Sequence, residues 1–137
     1  MMDVDLDKKC YDAITELMQS DKFYSHTDHN FEPYISIPIA LDLIVCAFDL
    51  EDEPVFFATL AFPEEQHIQK YIINGKFPLE GFYGSGDTPW VIDFCCRDPK
   101  RNLRYAFITI KNLLSSSGFN NCYWIRSESG KFGWHSW

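Results

Sequence analysis

The chain of 137 residues contains no C-x-x-C pair, no G-x-G-x-x-G or P-loop run, and no internal repeat. It also lacks an apolar stretch of the roughly 20 residues needed to span a bilayer. The first absence argues against a zinc ribbon or a dithiol redox site, and the second against the glycine-rich phosphate cradles. The N-terminal MMDVDLDKK is acidic and has no apolar core, so no secretory signal is expected. Positive charge is scarce: 12 Lys and Arg stand against 20 Asp and Glu, a net charge of −8. That balance argues against a broad footprint on nucleic acid or on an anionic membrane. The five cysteines are odd in number and scattered through apolar segments. They read as buried thiols of a reducing compartment, and with no metal-ligand cluster in view the expectation is a cytoplasmic protein without a metal.

Apolar residues make up 46% of the chain and aromatics 17%, enough for one folded domain over residues 1–137. Helical spacing runs from Asp5 to Ser20 through Leu6, Cys10, Ile14, Leu17 and Met18. A polar, aromatic loop follows from Asp21 to Pro33, then a short apolar stretch interrupted by Pro38. Leu43 to Phe48 and Val55 to Phe62 form a hairpin pattern around an acidic turn. Glu64 to Ile73 reads as a helix with Ile68, Tyr71 and Ile72 inward and His67 solvated. Trp90 to Cys96 is a strand, Asn102 to Ser117 a helix with Leu103, Phe107, Ile110, Leu113 and Leu114 on one stripe, and Cys122 to Arg126 a last strand. The tail from Ser127 to Trp137 is rich in Ser, Gly and aromatics. The expected fold is α+β, a sandwich of α/β type in which a mixed sheet is flanked by helices, with a βαβ crossover at its end.

Three features carry chemistry. Asp93 lies between Ile92 and Phe94 on an otherwise apolar strand. A buried acid must be paired or functional, because an unpaired charge is costly there. Arg97, Lys100, Arg101 and Arg104 are a third of all Lys and Arg and fall within eight residues at a helix start. With Asn102 they make either an anion site on free backbone N–H groups or an ordinary solvated turn capped by Asp98 or Asn102. His26 and His29 share a loop and are candidates for proton transfer or for a metal, although lone histidines are usually structural or exposed; H-x-x-H without a third ligand is weak evidence for metal.

The run Ser85-Gly86-Asp87-Thr88-Pro89-Trp90-Val91-Ile92-Asp93 resembles the Ser-Gly-Asp-x-x-Trp-x-Ile-Asp motif of the RTX toxin-activating lysine acyltransferases. Weaker similarity extends over about Leu17 to His135, through Ser20, Pro38, Pro54 and Gly130-Lys131. The resemblance implies a fold like the GCN5-related N-acetyltransferases and transfer of an acyl group from a thioester donor to a lysine of a partner protein. Acyl carrier protein or coenzyme A would be the co-substrate, with no permanently bound cofactor, and a homodimer is implied. Asp93 takes the place of the family's aspartate. An ungapped alignment puts the family's histidine on Tyr24 and the serine of its Ser-x-x-His motif on Asp21, with His26 two residues beyond. The expected site is therefore His26, Asp93 and Tyr24, with Arg97, Lys100, Arg101, Asn102 and Arg104 toward the donor. Two alternatives stand beside it. One is the same fold without turnover, used as an adaptor, inhibitor or assembly component. The other is a plain acetyltransferase using coenzyme A.

Overall fold

A computed structural model describes residues 4–21, 24, 32–126 and 131–137. Helix α1 spans Val4–Ser20 and α2 Glu32–Ala40; strands β1 Ile44–Phe48 and β2 Pro54–Ala61 follow. Helix α3 is Glu65–Asn74, a 3-10 turn covers Leu79–Tyr83, and β3 is Trp90–Cys96. Helix α4 is Pro99–Ser116, and β4 Asn121–Ile125 and β5 Phe132–Ser136 complete the chain. The strands lie in sequence order in one sheet. All neighbours are antiparallel except β3 and β4, which run parallel and are joined through α4. The fold is α+β, a mixed sheet flanked by helices.

Alternation along the strands sorts the core onto two faces. On one, Phe56, Ala58, Leu60, Val91, Cys122 and Trp124 pack against Ala106, Ile110 and Leu114 of α4. On the other, Phe57 and Cys95 meet Ile14 and Leu17 of α1 and Ile35 and Ile39 of α2. Trp90, Ile92 and Ile125 continue that face against Tyr71 of α3 and Phe77 and Phe82. Strand β2 is buried along its whole length because both faces are covered. Phe56 and Phe57, buried on opposite sides of it, each stabilise the fold by about 2–3 kcal/mol. Cys95 and Cys96 fall on opposite faces, as alternation requires.

The acidic hairpin turn is held by Asp49, whose carboxylate accepts the N–H groups of Glu51 and Glu53. Gly86 donates its N–H to the Phe62 carbonyl at 2.9 Å, and a side chain there would run into the Pro63 carbonyl. That close approach is why the loop before β3 needs glycine at this place.

Several elements depart from the sequence expectation. The short apolar stretch interrupted by Pro38 is helix α2: Pro38 sits in its last turn, and the Pro38 carbonyl accepts the N–H of Leu43 at 2.8 Å. Helix α4 begins at Pro99 rather than Asn102, since proline suits a first helical position. Its buried stripe is Ala106, Ile110 and Leu114, while Leu103, Phe107 and Leu113 are exposed. On α3, Ile72 faces solvent and His67 is buried, the reverse of the expectation. The aromatic tail contains an edge strand, β5, paired with β4 from Phe132 against Ile125 to Ser136 against Asn121. No described helix is long and apolar enough to cross a membrane.

Candidate functional site

The β2–β3 register explains the acid in the apolar strand. Ala58 pairs with Phe94 and Leu60 with Val91, so Thr59 alone faces Ile92 and Asp93. This is a β-bulge, one extra residue in β3, and such insertions re-aim a side chain. Val91 and Phe94 both remain on the α4 face. Ile92 and Asp93 are both sent to the opposite face, where α1 and α2 lie.

There Asp93 is held by two neutral hydroxyl residues. Tyr24 Oη donates to Asp93 Oδ1 at 2.7 Å. The Asp93 N–H donates to Thr59 Oγ1 at 2.9 Å, and the Thr59 side chain also bonds the carboxyl. Thr59 is fully buried and Tyr24 only 6% exposed, so neither partner has water to fall back on. Tyr24 is set by Asp21, whose carboxylate accepts the Tyr24 N–H at 3.1 Å. Burial pushes the Asp93 carboxyl up to about 6 from its ordinary 3.8, and the bonds to Tyr24 and Thr59 pull it partway back. The charge at Asp93 in turn raises the Tyr34 hydroxyl, after burial, and Tyr34 Oη is anchored on the Phe77 carbonyl at 2.8 Å.

The site lies where two strands part. Strands β3 and β4 share only two registered pairs, Trp90 with Tyr123 and Val91 with Trp124. From Ile92 to Cys96, the β4 side of β3 carries no partner strand among the described residues. Asp93 stands two residues past the last pair.

The basic segment is organised differently from the sequence expectation. A hollow of about 370 Å³ at the start of α4 is lined by Arg97, Arg101 and Asn102, together with Asp49, Glu51 and Asp98. Lys100 and Arg104 are exposed on α4 and do not line it. Arg97 Nη2 is bound to Asp49 Oδ2 at 2.9 Å. The Glu53 backbone N–H, and then the Arg97 guanidinium, hold the Asp49 carboxyl below its usual range. Asn102 does not cap the helix: its Nδ2 donates to the Arg97 carbonyl at 2.6 Å. Asp98, the residue before the first turn, makes no side-chain cap bond and adopts a left-handed conformation. Pro99 has no N–H, and the N–H groups of Arg101 and Asn102 are both taken by the Asp98 carbonyl. The end therefore offers few free donors, and the two arginines lining the hollow stand against three carboxylates.

His26 and His29 lie outside the described residues. His135 stacks edgewise on Trp124 in β4, away from Asp93. Burial pushes the thiols of Cys46, Cys95, Cys96 and Cys122 above their ordinary value, Cys46 to about 12, so none of these four is an activated nucleophile. Among the described residues no cluster of His, Cys, Asp and Glu is placed to hold a metal ion. Thr59 is the site residue that sequence reasoning missed. A threonine in a β-rich run carries no signal of its own, and only the bulge opposite gives it a partner.

No protein-family model matches the chain, and no curated protein matches it either.

Proposed function

We propose that the protein is a lysine N-acyltransferase-like enzyme, moving an acyl group from a thioester of acyl carrier protein or coenzyme A to a lysine of a partner protein. One observation carries the reading: a bulge projects Asp93 beside the parting of β3 and β4, with Tyr24 Oη bonded to it at 2.7 Å. These two positions, far apart in sequence, are the ones on which the resemblance aligns the family's aspartate and histidine. A sheet whose parallel strands part beside the acid also suits a fold like the GCN5-related N-acetyltransferases.

A free lysine, with a pKa of about 10.4, is protonated at neutral pH and is not a nucleophile. His26 is assigned as the base that takes the amine proton, and Asp93 orients and charges it. A carboxylate accepts about four hydrogen bonds, so Tyr24 and Thr59 leave capacity for a further donor. The amine nitrogen attacks the thioester carbonyl, and the tetrahedral intermediate expels the thiolate. Of the two protons lost by the ammonium nitrogen, one passes through the base to solvent and the other ends on that sulfur, leaving an amide and a free thiol. Arg97, Lys100, Arg101, Asn102 and Arg104 are assigned to the donor side. We place the protein in the cytoplasm, where its free cysteines stay reduced, and include a homodimer in the same reading.

A second reading is favoured by the Arg97–Asp49 ion pair and by the occupied N–H groups at the start of α4: the fold kept as a binding module without turnover. One experiment separates them. The purified protein is incubated with acyl carrier protein and coenzyme A thioesters, while thiol release is followed beside Asp93→Ala. Release that depends on Asp93 supports acyl transfer and identifies the donor. Absence of release together with absence of donor binding in native mass spectrometry refutes it and leaves the binding module.

A further inference from the structure

The face of the sheet opposite Asp93 carries a hollow of about 230 Å³ between α4 and the β4–β5 pair. Four rings line it: Phe107 of α4, Trp124 of β4, His135 of β5, and Trp137 just past β5. The Phe107 and Trp124 ring centres lie 4.6 Å apart, and His135 stands 6.1 Å from each. Ile110 and Cys122, both buried, add to its apolar lining. Trp137 is fixed through its backbone N–H, which donates to the Asn120 carbonyl at 3.0 Å.

Two of the polar groups lining the hollow can only donate. The Trp137 indole Nε1 is buried and has no hydrogen-bond partner among the described residues. Lys111 is exposed on α4 and makes no ion pair among the described residues. No Asp or Glu lines the hollow, and α4, β4 and β5 hold none, although the chain has 20. A buried donor without an acceptor is costly, and a ligand that brings an acceptor relieves the cost.

We propose that this hollow binds a small aromatic carboxylate. The ligand's rings pack among Phe107, Trp124 and Trp137, and its carboxylate accepts from Trp137 Nε1 and pairs with Lys111. Size agrees with that class. A cavity of about 150 Å³ takes one benzene ring, so about 230 Å³ suits a system of about two fused rings. The site lies across the sheet from Asp93 and does not depend on the acyl-transfer reading.

The test titrates the ¹⁵N-labelled chain with 2-naphthoate. Beside it run 2-naphthamide without the charge, 2-naphthylmethylamine with the opposite charge, and octanoate without the rings. The Trp137 indole N–H signal, assigned through its loss in Trp137→Phe, is expected to shift saturably with 2-naphthoate. The other three compounds are expected to bind at least about tenfold more weakly. Lys111→Gln, at an exposed helical position, is expected to weaken 2-naphthoate binding at least about fivefold while its remaining amide signals stay in place. An unmoved indole signal, binding of any of the three controls within tenfold of 2-naphthoate, or a smaller loss in a folded Lys111→Gln would each overturn the proposal. Binding is read without a thioester present, so the result is distinct from success or failure of acyl transfer.

Discussion

Asp93→Asn is expected to raise the stability of the protein at neutral pH while abolishing turnover. The folded carboxyl titrates at about 6 and the unfolded one at its ordinary 3.8. Below 3.8 the group is protonated in both states and costs nothing. Between 3.8 and about 6 the unfolded chain loses its proton and the folded chain keeps it, so stability falls as pH rises. Above about 6 the full cost remains. A separation of about two pH units corresponds to about 3 kcal/mol at 1.36 kcal/mol per unit. Asparagine has the same shape, carries no charge, and keeps an oxygen to accept the Tyr24 hydroxyl. The variant should therefore gain up to about 3 kcal/mol at pH 7.5 and almost nothing at pH 4. With an unfolding entropy of about 2.1 cal/mol/K per residue, that gain raises Tm by up to about 10 °C. Scanning calorimetry of both proteins at pH 4, 5, 6 and 7.5 measures it. A Tm difference that is absent at pH 7.5, or the same at every pH, refutes the reasoning that burial of a charge dominates this site.

Two further substitutions probe the residues that hold Asp93. Tyr24→His restores the side chain implied by the resemblance and puts an imidazole where a phenol now bonds the carboxyl; thioester turnover should rise by about tenfold or more, and a folded variant with no gain would separate this protein's chemistry from that family's. Thr59→Val keeps the β-branched shape but removes the acceptor of the Asp93 N–H, so urea denaturation should show a loss of about 1–3 kcal/mol, and an unchanged midpoint would mean that the amide finds another partner.

Strands β1 to β4 were legible because their signals are local. Trp90 to Cys96 reads as a strand from its apolar, aromatic content alone, and the Asp49 to Pro54 turn announces a hairpin. Helix α2 was not legible, because Ile35-Ser-Ile-Pro-Ile39 sets no 3.6-residue period and contains a proline. The Ser- and Gly-bearing tail hid β5, which becomes a strand only because the β4 edge is there to pair with. The α4 stripe was misread toward its larger side chains; the sheet instead takes Ala106, whose small side chain lets helix and strand approach. Of the site, Asp93 stood out as an acid in an apolar run, and Tyr24 entered only through the resemblance. Their meeting depends on a contact spanning 69 residues and on a bulge, and neither has a local sequence signature.

The bulge also decides which face of the sheet the acid joins. The arginine nearest in sequence to Asp93, Arg97, stands four residues along. Arg97 is bound to Asp49 in the hairpin turn instead. In regular pairing Asp93 would follow the alternation set by Val91 and join the α4 face, among Phe94, Trp124 and Ile110. The extra residue turns it to the other face, against a phenol and an alcohol that fix its position without neutralising it. An acid placed in this way carries a stability cost of about 3 kcal/mol above about pH 6. Tyr24, whose hydroxyl holds the carboxyl, also lines a surface groove between α1 and α2.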